Sequence, residues 1–227
     1  MLKIHGVPIS VHTRKVIVVA LAKGLPYENL PVVPVIPGST PANWREISPT
    51  GKIPAISHGD FTLADSAAIC AYLEREFPGQ PIYPAEARDY ARALFLEQYA
   101  GLLFNDVVRP LFHETVVHPR FRNQQPDAAR IQEVLTTVVP EHFGYLEAQL
   151  QGDWLVGAAP TVADYAVISN LVTYRYLGFD LYPARFPRLA AYFERALALP
   201  AMREALKREQ ATVDSMKLDR NWHVQDR

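Results

Sequence analysis

Ile53-Pro54-Ala55-Ile56-Ser57-His58-Gly59-Asp60-Phe61-Thr62-Leu63-Ala64 places two short apolar runs on either side of a three-residue turn that contains glycine. A turn of that length, with a glycine free to adopt positive φ, predicts an antiparallel hairpin. From Ser66 the apolar period becomes helical: Ile69, Cys70, Leu73 and Phe77 share a face, and Pro78-Gly79 ends the segment. Working outward, Leu2 to His5 reads as a strand closed by Gly6-Val7-Pro8, and Tyr27 to Val33 as another. Between them Ser10 or Thr13 can cap a helix that runs to Ala22, with Gly24 where a helix C-terminal glycine belongs. Propensity alone makes Val16-Ile17-Val18-Val19 a strand, yet the capping residues and the length of the segment favour a buried helix. The order β-α-β then β-β-α predicts a small α/β domain around a mixed four-stranded sheet.

Beyond residue 86 every periodicity is helical. Ala91, Leu94, Phe95, Gln98 and Leu102 trace the expected inner stripe of a long helix closed by Arg109-Pro110. Ile131, Val134, Leu135, Val138, His142, Leu146 and Leu150 trace another, which Pro140 should kink rather than end. His142 in that stripe reads as a core histidine. Thr161-Val162-Ala163-Asp164 has capping-box spacing and opens a helix to about Leu177; Pro187 to Leu199 and Ala201 to about Met216 supply two more. The tail from Lys217 is polar and expected to be poorly ordered. The predicted organisation is an α/β unit over residues 1–78, a linker at 79–86, and an all-α unit over 87–227. Eleven of the 19 prolines fall in residues 1–84, so the two parts differ in composition as well as in period.

Composition narrows the chemistry. The chain has 227 residues, 49% hydrophobic and 21% charged, as expected of a globular protein and not of a disordered or fibrous one. Twenty-three basic and 24 acidic side chains nearly cancel, which argues against a nucleic-acid partner. The single cysteine, Cys70, excludes an internal disulfide framework and a cysteine-built zinc site, and suits a reducing cytoplasm. His12, Arg14 and Lys15 ahead of the apolar run Val16 to Ala22 superficially resemble a secretion signal, but the run is too short and lacks a cleavage site. It is also far below the ~20 residues of a membrane span. A soluble, cytoplasmic protein without membrane contact is expected.

Phosphate-binding loops, dinucleotide fingerprints, HExxH and GxSxG are all absent, and the seven histidines lack metal-ligand spacing, so no metal site is expected. The informative segment is Pro8-Ile9-Ser10-Val11-His12-Thr13-Arg14, which follows the first strand and opens the first helix. In thioredoxin-like domains this position carries a reactive CxxC, because a helix N-terminus stabilises an anion. Here the tetrad is Ser10-Val11-His12-Thr13, with hydroxyls in place of sulfurs. From the tetrad alone two readings stand level: Ser10 stabilises a thiolate brought by a ligand, or Ser10 is a plain helix cap.

The run Leu2 to Ser10, then Thr13-Arg14-Lys15-Val16 and Lys23-Gly24-Leu25-Pro26-Tyr27-Glu28, resembles the start of a glutathione transferase. Ser48-Pro49-Thr50-Gly51-Lys52-Ile53-Pro54-Ala55 resembles that family's NPxGKVPAL stretch. Asp65-Ser66-Ala67-Ala68-Ile69 resembles its E-S-x-A-I signature, and Pro160 to Asp164 the capping motif of its helical domain. The matches occur in family order, and the serine position with its TRKV continuation looks most like the serine-type classes, phi or theta and their bacterial relatives.

The resemblance implies a thioredoxin-like N-terminal domain and an all-α C-terminal domain. It implies glutathione as co-substrate, a homodimer, and transfer of the glutathione thiolate to a hydrophobic electrophile. It casts Ser10 as the catalytic residue on the glutathione sulfur. Ile53 would hold the cysteinyl backbone, Pro54 would be cis, Lys52 would face the glycine carboxylate, and Asp65 and Ser66 would take the γ-glutamyl end. Ile9, Val11, Val35, Phe104 and Val107 would form the wall for the electrophile. Asp65 is one methylene shorter than the usual glutamate. The loop Gly38 to Trp44 lacks the basic residues that many phi-type members carry, which implies weak glutathione binding. Alternative readings are a non-catalytic binding or regulatory protein of this family, or another glutathione-dependent lyase or isomerase.

Overall fold

The computed structural model describes residues 1–219, so the end of the polar tail lies outside the described residues. Four strands, β1 (Leu2–His5), β2 (Tyr27–Leu30), β3 (Ala55–His58) and β4 (Phe61–Ala64), form one sheet in the order β2-β1-β3-β4. β1 and β2 are parallel, and the other two pairings are antiparallel. The hairpin turns at Gly59, whose φ is +64. The second strand is shorter than its apolar run: it stops at Leu30 because Pro31, lacking an N–H, cannot continue the ladder.

Helix α1 (Val11–Ala22) follows β1, a one-turn α2 (Trp44–Ile47) precedes β3, and α3 (Ser66–Glu76) follows β4. Helix α1 is buried nearly all round, from Thr13 to Ala20. Sandwiched between the sheet and the helical region, its β-branched residues are buried on every side, and this packing outweighs their propensity for strand.

The rest is helical: α4 (Ala87–Leu103), α5 (Arg109–Phe112), α6 (His118–Phe121), α7 (Ala128–Glu133), α8 (Val139–Gln149), α9 (Val162–Tyr176), α10 (Pro187–Leu197) and α11 (Pro200–Ser215). Two sequence expectations fail here. Pro110 does not close the long helix. Segments of π-helix at Phe104–Val108, His113–Val117 and Val134–Val138 each end two residues before a proline, at Pro110, Pro119 and Pro140. The wide turns absorb the hydrogen bond each proline forfeits, so the helix runs on. The inner stripe of α4 is also displaced. Ala93, Leu96, Glu97, Ala100 and Leu103 are buried, whereas Phe95 and Leu102 are 55% and 54% exposed. In the second helix the extra residue of the π turn moves the buried face onto Val139 and Phe143, although Val134, His142, Leu146 and Leu150 keep the places expected of them.

Helix α9, buried at every position but Arg175, is the centre of the helical region. At its start the Asp164 carboxylate accepts from the Thr161 amide at 2.7 Å, the closing bond of a capping box, and also from the Leu155 amide and the Tyr192 hydroxyl. Cys70 is fully buried and its thiol is pushed up to about 12 by desolvation, consistent with a small apolar core residue. No helix among the described residues is long and apolar enough to cross a membrane.

Helix α1 is fastened to the helical region by charge. Lys15 Nζ lies 2.8 Å from Glu97 Oε1 on α4, both buried, and the Tyr83 hydroxyl donates to Glu97 Oε2 at 3.3 Å. Removing one partner strands a charge out of water. We expect Glu97→Ala to cost about 3–5 kcal/mol in urea unfolding, and Lys15→Met/Glu97→Leu to return most of it. A loss under about 1 kcal/mol for the single variant would show that the pair is not desolvated.

Candidate functional site

The register of the sheet decides what meets. His5 pairs with Leu30 on one side and Ala55 on the other, and Ala55 pairs with Ala64. The turn after β1, the loop after β2, the loop before β3 and the turn after β4 therefore all meet the sheet at one end. Ser10, Val35, Lys52 to Pro54, and Asp65 with Ser66 ride on those four segments.

The β1–α1 turn is tight. The Ser10 amide donates to the Val7 carbonyl at 3.1 Å, and the Ser10 carbonyl accepts from Arg14 at 2.8 Å to start α1. Ser10 is the N-cap residue with extended φ and ψ, but its side chain makes no capping bond, and the first turn of α1 carries no acidic side chain. The hydroxyl and the positive end of the helix are thus both left for a ligand. Gly6, at φ +150, lets this turn approach β3: a Cβ there would stand 2.5 Å from Thr13 Oγ1 and 3.3 Å from the Ile53 Cβ. Thr13 does not cap. It lies inside α1, and its buried Oγ1 has no partner among the described residues.

Loop 48–54 is held from within. The buried Ser48 hydroxyl donates to the Lys52 carbonyl at 2.7 Å, and Trp44 Nε1 donates to the Gly51 carbonyl at 3.1 Å. Gly51 sits at φ +69, which favours glycine, beneath the Arg45 guanidinium, which would have to shift for any Cβ. These bonds present Lys52 to solvent, leave Ile53 half-buried and bury Pro54, whose peptide bond with Ile53 is cis. At the β4–α3 turn Asp65 takes φ +80 and caps α3, its Oδ1 accepting from the amides of Ala67 and Ala68 at 2.9 and 3.1 Å. Ser66 heads the helix and is buried.

His12 is the site residue that motif reasoning passed over. Its ring packs edge-on against Phe104, centroids 4.7 Å apart. Burial pushes its pKa down to about 4, Lys15 and Lys52 add to the fall, and Asp65 opposes it. The imidazole is therefore neutral near pH 7, and Lys52 and Asp65 both lie within electrostatic reach of a residue two positions past Ser10. The signal was in the sequence, as the histidine of the tetrad, but its surroundings were not.

The residues expected to form the electrophile wall differ in burial. Val11 and Val107 belong to the buried core, while Ile9 and Phe104 pack against that core half-buried. Val35 is 87% exposed, at the tip of a loop closed by the Val33 amide donating to Ser39 Oγ at 2.8 Å. Among the described residues no group of three or more His, Cys, Asp or Glu side chains is arranged to hold a metal ion.

Residues 4–81 match the family described as glutathione S-transferase, N-terminal domain, and residues 111–209 the glutathione S-transferase C-terminal domain. Human glutathione S-transferase theta-2B is 30% identical over 195 residues, 84% of this chain and 78% of that protein. Glutathione S-transferase Z2 of Arabidopsis thaliana is 25% identical over 217 residues, 94% of each chain. The crystal structure of human glutathione transferase theta-2, in complex with glutathione and an unknown ligand, superposes with a TM-score of 0.83 at 24% identity, over 96% of this chain and 90% of that one; this likeness bears on the fold. A thioredoxin-like sheet domain followed by a helical region, matched in chain order by both halves of one family, places this chain in the glutathione S-transferase family.

Proposed function

We propose that the protein is a glutathione transferase that joins the glutathione thiolate to a hydrophobic electrophile, with Ser10 donating its hydroxyl to the sulfur. The observation that carries this reading is the Ser10 hydroxyl, unused as a cap at a helix N-terminus that no acidic side chain neutralises. A thiol with pKa near 8.5 is only a few per cent ionised at neutral pH, and lowering it two units takes about 2.7 kcal/mol. One hydrogen bond to a charged acceptor contributes about 1.5–3 kcal/mol and the helix end up to about 1, so no general base is needed. Neutral His12 adds no charge to this stabilisation, which the hydroxyl and the helix end supply.

In this reading residues 1–78 form the glutathione-binding unit, 79–86 the linker and 87–227 the helical unit. The main chain of Ile53, ahead of cis Pro54, takes the cysteinyl backbone, and Lys52 faces the glycine carboxylate. The Ser66 amide and hydroxyl take the γ-glutamyl carboxylate at the start of α3. Asp65 commits one carboxylate oxygen to the α3 cap, which leaves the other for the γ-glutamyl amino group. The half-buried pair Ile9 and Phe104 favours an apolar second substrate. We also propose a cytoplasmic homodimer. The exposed α4 stripe of Ala91, Phe95, Gln98 and Leu102 supports it, since an apolar helical face left in water asks for a cover.

Ser10→Ala is expected to lower kcat/KM with glutathione and 1-chloro-2,4-dinitrobenzene about 10- to 150-fold, the rate equivalent of one charge-assisted hydrogen bond. Equal rates would remove Ser10 from the mechanism, and a wild type that neither turns over nor is retained on immobilised glutathione would defeat the enzyme reading. Sedimentation should give twice the 25.5 kDa chain mass; a monomer mass contradicts the dimer. His12 adds a pH signature. Its folded pKa of about 4 lies below the 6.5 of a free imidazole, so the unfolded chain takes up the proton first and stability falls as pH drops through that window. His12→Asn should lose about 2–3 kcal/mol less than wild type between pH 7 and pH 4 in urea unfolding. Parallel curves would show that His12 titrates normally.

A further inference from the structure

We propose that Glu209, on α11, is a positioning residue for Ser10 and acts through Arg14; the inference rests on the reading of Ser10 given above. Arg14 is 1% exposed, and its Nε, Nη1 and Nη2 all face buried partners. Nε faces Glu209, 3.1 Å from each carboxylate oxygen, and Nη2 reaches Glu209 Oε2 at 3.0 Å. Nη1 donates to the Ser169 carbonyl at 2.6 Å and to Thr173 Oγ1 at 2.9 Å. Nη2 also donates to the Ile9 carbonyl at 3.1 Å. That carbonyl belongs to the peptide plane whose nitrogen is Ser10's.

The direction of the bonds argues for more than an ion pair. A pair that only tied α1 to α11 would need no contact with the turn. Here the fork has a fixed planar geometry, so anchoring one side of it on Glu209 sets where the other side holds Ile9. Glu209 is itself fixed: it is fully buried, and the Tyr176 hydroxyl donates to its Oε1 at 2.9 Å. Besides this bond, among the described residues the Ile9–Ser10 peptide is oriented only by the Ser10 amide donating to the Val7 carbonyl. Loss of the Glu209 charge frees the guanidinium to tilt, the peptide plane rotates with it, and the hydroxyl points away from the sulfur.

A merely structural brace and a positioning residue are separated by the ionisation of bound glutathione. The acid limb of kcat/KM for 1-chloro-2,4-dinitrobenzene at saturating glutathione reports the thiol pKa in the complex. Glu209→Gln is expected to raise that limb by about one unit, tenfold less thiolate below it, with KM for glutathione changed less than about twofold. Tyr176→Phe, which keeps both charges, should move the limb the same way by a few tenths, and carries the readout if Glu209→Gln does not fold. A lowered melting temperature with an unmoved limb in the folded variants would overturn the proposal. In the Ser10→Ala background, Glu209→Gln should shift the limb no further; an additive shift would exclude Ser10 as the route. If Ser10→Ala alone leaves the limb at its wild-type position, the Ser10 reading fails and takes this inference with it, a result distinct from a silent Glu209.

Discussion

Arg14 and Lys15 stand side by side on α1 and both are buried, the first against Glu209 on α11 and the second against Glu97 on α4. Taking a charge out of water costs several kcal/mol, and only a well-aligned partner with further hydrogen bonds offsets it. Each cation has its carboxylate in the helical region, and among the described residues neither pairs with a carboxylate of the sheet unit. The sheet unit therefore cannot bury α1 at low cost without the helices, and the helices position α1 wherever those two carboxylates lie. Because α1 begins at the β1–α1 turn, the placement of Ser10 is inherited from the same pair of contacts.

Charge fixes α1, and backbone pairing fixes everything else at the site. A one-residue slip of β3 against β1 would turn Ala55 outward and move the 48–54 loop away from the turn. The burial of Leu2 and Ile4 on β1 and of Ala55 and Ile56 on β3 holds the register that pairs Leu30, His5, Ala55 and Ala64. Gly6 then allows a backbone approach that any side chain would block, and the loop bonds of Ser48 and Trp44 settle Lys52 and Ile53 before a ligand arrives. Little is left to reorganise on binding, which keeps its entropic cost down.

Much of this was legible from residues alone. The hairpin at Gly59, the order of elements and the cap at Asp164 follow from turn chemistry and period, which act over a few residues. Where longer-range packing ruled, local reading went astray. The apolar stripe of α4 faces outward because Glu97, a charged residue no hydrophobic count would choose, turns inward to meet Lys15. Pro110 reads as a stop, yet a π turn ahead of it carries the helix on.

The sequence by itself determined the sheet and helix order, the hydroxyl tetrad at the head of α1 and the family, because motifs of this kind are written within short stretches. The tertiary structure decided which of those groups are free to act. Whether Ser10 caps its helix or keeps its hydroxyl, whether His12 is charged, and which carboxylate answers Arg14 depend on partners as far as 195 residues away. Desolvation and hydrogen-bond direction are properties of the assembled interior, and no local pattern encodes them.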